Sequence, residues 1–502
     1  MRHPLLTVSA AAASFFALSV SARAFAQAPV RSDDASVPPS LEASAPSNET
    51  APASPSPEAP PQSPDAPSGA AEESAPDSVE TADPESPVLA PRTVLVSEPP
   101  AAVAIAEPSF VAPPPEPKKE HFFDKVNVRG YTQFRYNQLA VDNDKLVNVQ
   151  GDKSMTKDGG IFIRRARIVL SGDIHPRVSI YLQPDFASAA GDSLNYAQMR
   201  DWYFDLFADE EKTLRLRIGQ SKIPFGFENL QSSGNRLPFD RSDAINSAAA
   251  NERDLGAFIY YAPQEIRRRF KALVDDGLKG SGDYGMLALG AYNGQSANKF
   301  EQNDNLHVVA RVAYPFLFGE QYFEVWGGGY YGRFTIDNDD AFTIDESETL
   351  GGPDAFRDTR ANAGFSLYPQ PFGLQAEYNL GVGPELTDVQ EGVDADGSAV
   401  FSGIVREEFL HGGYVLASLR LVTDSFGTFT PYVRGMLYEG GKKHETNAPK
   451  YSIKELESGV EWQIIKPLEL TAAYTRAERT FSKPPYEQEK GGLVRLQVQV
   501  NY

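Results

Sequence analysis

The feature that most constrains this chain is a period-two alternation whose polar face carries arginine. It is plainest over residues 162–226. Phe162, Ala166, Ile168 and Leu170 fall on one parity, as do Val178, Ile180 and Leu182, and then Leu214, Leu216 and Ile218. Arg165, Arg167, Arg177, Arg215 and Arg217 fall on the other. Successive side chains of a strand point to opposite faces of its sheet, so this pattern makes one oily face and one guanidinium-bearing face. A soluble sandwich needs a dry inner face. A sheet closed into a barrel that faces lipid outside and water inside needs the reverse.

The same alternation starts near Lys125, where Arg129, Tyr131, Gln133 and Arg135 share a face, and recurs in sixteen segments to the end of the chain. The connections support an all-β, 16-stranded antiparallel transmembrane β-barrel. Long connections, such as 138–160, 222–253 and 383–409, alternate with short ones, such as 173–176 and 423–427. Long outer loops and short periplasmic turns distinguish the two ends of such barrels. One position breaks the rule. The segment 263–282 is long where a turn is due; either an insertion or extended flanking strands would account for it.

Three regions follow from composition. Residues 1–26 read as a secretory signal peptide, with Arg2, an apolar core and a small-x-small site at Ala24-Phe25-Ala26. Residues 27–120 hold 22 of the 38 prolines and 16 acids against four bases, which predicts a disordered, extended arm in the periplasm. That arm is a spacer or binds a periplasmic or cell-wall partner. Residues 121–502 form the barrel. The whole chain carries −21; the signal contributes +2 and the arm −12, which leaves −11 on the barrel. An anion path through an acidic barrel must therefore rest on where its charges sit.

The chain has no cysteine, which excludes disulfides and thiolate chemistry, and its six histidines lack metal-ligand spacing. No catalytic constellation stands out. No enzyme activity, metal, cofactor or nucleic-acid partner is expected. The last strand, GGLVRLQVQVNY, alternates to a terminal tyrosine, resembling the assembly signal of outer-membrane proteins.

Several segments together resemble the phosphate-selective porin O and P family: GIFIRRAR at 160–167, GQSKIPFG at 219–226, DRS at 240–242, RDLG at 253–256 and YNG at 292–294. The likeness runs over about 125–502. It implies a homotrimeric outer-membrane porin that passes phosphate or polyphosphate along lumen arginines, past a constriction made by an infolded third loop, here 222–253. Arginine suits the task, because its planar fork stays charged and grips oxyanions. Lumen parity nominates Arg129, Arg135, Arg165, Arg167, Arg215, Arg217, Arg311, Arg434 and Arg495; the loop adds Lys222, Arg236, Arg241 and Arg253. Each could instead be a structural partner of an acid such as Asp185, Asp201, Glu228, Asp240, Asp254 or Glu377. A porin for other solutes, or a mainly structural barrel, stays open at this point. The acidic outer loops read as solvated loops, or as sites of divalent bridging to lipopolysaccharide. Arg164 falls on the lipid parity and is expected near the outer rim, where it can snorkel.

Overall fold

The computed structural model describes residues 122–140, 160–190, 193–249, 253–338, 342–345, 349, 355–393, 396–480 and 488–502. The signal peptide, the arm to residue 120, and parts of the outer loops (among them Asp339, Asp340 and Asp394) lie outside the described residues.

The wall is a closed ring of sixteen antiparallel strands. In order they are β1 (Asn127–Leu139), β2 (Gly160–His175), β3 (Val178–Ala190), β4 (Ser193–Phe207), β5 (Leu214–Lys222), β6 (Arg253–Tyr261), β7 (Leu287–Tyr292), β8 (His307–Phe318) and β9 (Gln321–Thr335). There follow β11 (Ala355–Leu367), β12 (Phe372–Val393), β13 (Ala399–Leu419), β15 (Gly427–Gly441), β16 (Lys450–Ile465), β17 (Leu468–Thr480) and β18 (Gln488–Asn501). Two short pieces complete the strands. β10 (Thr343–Ile344) lies parallel to the outer part of β13, and β14 (Leu421–Thr423) continues β13 along β15. Pairing of β1 with both β2 and β18 closes the ring, so no sheet edge is left open.

Burial confirms an inside-out barrel. On β8, His307, Val309, Arg311 and Ala313 are buried while Val308, Ala310 and Val312 are exposed. The same holds on β18, where Arg495, Gln497 and Gln499 are buried and Leu496, Val498 and Val500 face outward. Charge inside and apolar groups outside is stable only when the surrounding solvent is hydrocarbon. No described helix is long and apolar enough to cross a membrane; the strands supply the spanning surface.

Two departures from the sequence reading have physical causes, and a third position settles an alternative left open. The hairpin β12–β13 stays paired out to Val393 and Ala399, well past the 383–409 loop expected. Beyond the lipid successive residues such as Gly383–Leu386 are buried against neighbouring loop elements, so the alternation that marks a strand lapses while the backbone ladder continues. Its outer part joins an apolar cluster of Phe334, Ile336, Phe342, Phe356, Leu386 and Val405 above the wall. Second, the β1–β2 register skips Arg164, between the pairs Gln133–Arg165 and Phe134–Ile163. This bulge leaves Arg164 half-buried beside Arg165, where lipid-facing parity had put it outward. Third, the segment after β6 is an insertion. It carries helix α2 (Gln264–Asp275), whose Ile266, Phe270 and Leu273 are buried against lumen-facing Ala313, Trp326 and Tyr368.

Candidate functional site

The lumen is built by the wall and by residues 223–249, which leave β5 at Lys222 and fold inward. Pro224 denies this loop ladder pairing, and Gly226 turns it with φ +71°. A Cβ at Gly226 would stand 2.6 Å from Glu377 Oε1 and 2.8 Å from Ile245 Cδ1, so only glycine lets the loop come this close to β12. Glu377 then accepts the backbone N–H groups of Phe227 (3.1 Å) and Glu228 (3.3 Å). Further on, helix α1 (Asp243–Ala248) packs against β13 and β15, and Leu237, Phe239 and Ala244 join Tyr414, Tyr432 and Tyr438 of the wall. The loop is thus fixed to the far wall by apolar packing and by carboxylate-capped backbone.

The arginines nominated by parity line this space, and most meet a carboxylate. On the near wall, Arg167 Nε donates to Asp185 at 2.7 Å, and its NH1 reaches Tyr131 and Ser233. Arg217 forks onto both oxygens of Asp205, at 2.8 and 3.0 Å, with its guanidinium 3.7 Å from the Tyr203 ring centroid. Arg215 lies 3.8 Å from Asp205 and 3.7 Å from Asp283. Arg253 pairs with Asp201 at 2.8 Å and reaches Gln183. Arg135 lies 3.3 Å from Asp240 of the loop and also donates to Gln497.

The same pattern recurs around the ring. Arg434 bonds Glu228 at 3.1 Å, and Arg495 bonds Glu457 at 2.6 Å and also Asp240. Arg311 is 3.6 Å from Glu324. Of the six acids weighed as partners, Asp185, Asp201, Glu228 and Asp240 pair with arginine. Asp254 instead accepts the backbone of Gly294 and Ser296, and Glu377 that of the loop.

Three of the loop cations tie backbone. Lys222 Nζ donates to the carbonyls of Leu230 and Gln231, Arg236 to that of Glu228, and Arg241 to Asn229 Oδ1 and the Ala249 carbonyl. Arg165 donates to Gln133 Oε1 at 2.8 Å, and Arg164, Arg167 and Arg135 are charges close to it. Arg129 is exposed at the start of β1. It neighbours Tyr181, which with Tyr203, Ser179 and Asp205 lines a cavity of about 260 Å³ at the short-turn end.

Sequence reasoning missed an outer cluster. Arg360 and Asp358 pair on β11; Lys443 bonds the same Asp358; Lys442 lies 2.9 Å from Asp243, and Arg479 bonds Asp243 and Glu455. Burial opposes the charge of Asp243, but Lys442 and Arg479 beside it hold its carboxyl below the ordinary range. Parity was the signal available: Asp358, Arg360 and Asn362 alternate on β11, and Arg479 follows Thr475 and Ala477 on β17. Among the described residues, no group of acids and histidines is arranged to hold a metal ion.

A closed barrel with an apolar exterior, a charged interior and an infolded loop defines a membrane-spanning channel of porin build. The sequence profile of the phosphate-selective porin O and P family matches residues 133–502, and the chain belongs to that family, as an outer-membrane porin. No curated protein matches the sequence. Solved structures similar to it include the outer-membrane channel DcaP of Acinetobacter baumannii (12% identity, 75% of this chain and 97% of that one, TM-score 0.45). Others are an anion-selective porin from Comamonas acidovorans (10%, 75% and 99%, 0.45) and Salmonella typhi OmpF in complex with daunomycin (13%, 75% and 97%, 0.44).

Proposed function

We propose that this porin conducts small anions, phosphate-like ones among them, by passive diffusion, and that it works as a homotrimer with its arm in the periplasm. The observation that carries the anion reading is the Arg135–Arg165–Arg167 group. Three guanidiniums converge beside the infolded loop, and Arg135 and Arg167 bond it directly, at the Phe239 carbonyl and Ser233. A phosphate drawn to this concentration of positive charge would gain charge-assisted hydrogen bonds. A less selective porin is the second reading, favoured by the carboxylates that pair Arg167, Arg217, Arg253, Arg434 and Arg495. Reversal potentials of the full chain in planar bilayers under a salt gradient decide between them. Anion preference, with phosphate lowering chloride current, supports the first, and Arg165→Gln should weaken both effects. Cation preference, or chloride current indifferent to phosphate, overturns it.

A further inference from the structure

The insertion between β6 and β7 crosses the bore. It leaves the short-turn end of the wall at Tyr261 and returns at Leu287, and its tip reaches β16: Lys279 Nζ lies 2.5 Å from Glu461 Oε1. Around the ring, six wall strands separate β7 from β16 one way and seven separate β6 from β16 the other, so the tip meets the opposite wall. Arg420, at the β13–β14 junction, donates to the Asp276 carbonyl at 3.0 Å. The root is held by Ile266, Phe270, Leu273 and Leu278 in an apolar cluster with Trp326 and Tyr368, and Arg267 bonds Asp283 at 2.9 Å. The infolded loop rests on the tip from the other side. Gln231 donates to the Lys279 carbonyl at 2.7 Å and Asn235 to that of Gly280 at 2.9 Å. Gly277, Gly282 and Gly285 have positive φ, which lets so short a segment double back.

We propose that residues 262–286 form a second constriction, a bar across the periplasmic mouth in series with the infolded loop, with Lys279 as its tie to the far wall. This rests on the reading of the chain as a conducting pore. A bar anchored at both walls divides the exit and sets its size limit, whatever the loop admits above it. The cavity at Tyr181 and Tyr203, beside the bar on the β1–β4 side, is then the way out.

The chain has no cysteine, so Asp276→Cys places one thiol at an exposed position beside the tip of the bar in the full-length protein. A cationic methanethiosulfonate, added from the short-turn side during bilayer recording, should cut the current by roughly half or more, as narrowing a limiting constriction does. Failure of the thiol to react, or complete reaction by mass with unchanged current, overturns the proposal. Lys279→Met should free the tip and raise single-channel conductance on the order of twofold, as removing one of two comparable resistances in series would. Unchanged conductance counts against the bar as a constriction. A parent protein that carries no current at all fails the channel reading itself, and so separates the two.

Discussion

Arg217 lies over the face of Tyr203 and grips both oxygens of Asp205 in a lumen packed tightly enough to bury all three charged and hydroxylated groups in large part. Removing one partner of such a pair leaves an uncompensated charge, which costs about 3–5 kcal/mol where burial is complete. Asp205→Asn should therefore lower the urea midpoint of the detergent-solubilised barrel, followed by tryptophan fluorescence, far more than Asp173→Asn at an exposed turn. His444 makes a separate prediction. Burial, then the charge of Lys443, holds its imidazole well below its usual range, with its ring 4.9 Å from that of Phe334. A histidine whose folded pKa is depressed favours the folded state above its unfolded value and loses that preference as pH falls. The loop 442–449 should thus loosen below about pH 6.5, seen as faster amide exchange there, while a His444→Phe variant loses this acid step. At this scale the sequence told which arginines face inward, because parity is local. It named Asp185 and Asp240 among acids that could pair with them, but assigned no pair. It could not tell that Arg495 meets Asp240, 255 positions away, because that contact exists only once the loop is folded.

The infolded loop shows how an element is positioned by a few backbone facts. Gly226 sits where a side chain would strike Glu377 and Ile245, and its φ is one that other residues rarely adopt. Gly226→Ala should undock the loop at a cost on the order of 1–3 kcal/mol. Limited proteolysis within 227–242 and noisier single-channel current are the expected signs; a variant as protease-resistant and quiet as the parent would refute the docking role. The loop's inward course was expected from the family resemblance; its prolines and glycines are only compatible with it. Helix α2 was not read, although Ile266, Phe270 and Leu273 are spaced to fall on one helical face. It was hidden by the expectation that a barrel turns tightly at that end. Conversely, the outer half of β12–β13 left no periodic trace, since no lipid boundary separates its two faces.

For the molecule as a whole, the apolar exterior sets stability in lipid. Val312 lies near the middle of β8 and is half exposed. Val312→Arg should destabilise the barrel by about 2–4 kcal/mol if that position lies at the bilayer midplane, measured by refolding into vesicles. The strand count and the outward face were readable in advance because both follow from a period of two. How thoroughly acids neutralise the lumen was not, since composition reports only totals and the arginines' partners come from four or more elements.

The ring has a seam, and the seam has a consequence in time. β1 meets β18 through pairs such as Gln133 and Gln499, whose side chains bond at 2.6 Å across 366 positions of sequence. All other wall strands pair with a neighbour next along the chain, so they can zip in succession. Joining the first to the last requires the longest loop closure in the molecule, and closure over such distances is slow. Until then the wall is an open sheet with two bare edges, the form most prone to pair with another chain. Whatever escorts this protein to its membrane must therefore recognise an unfinished sheet, and the interval before the seam closes is when its fate is decided.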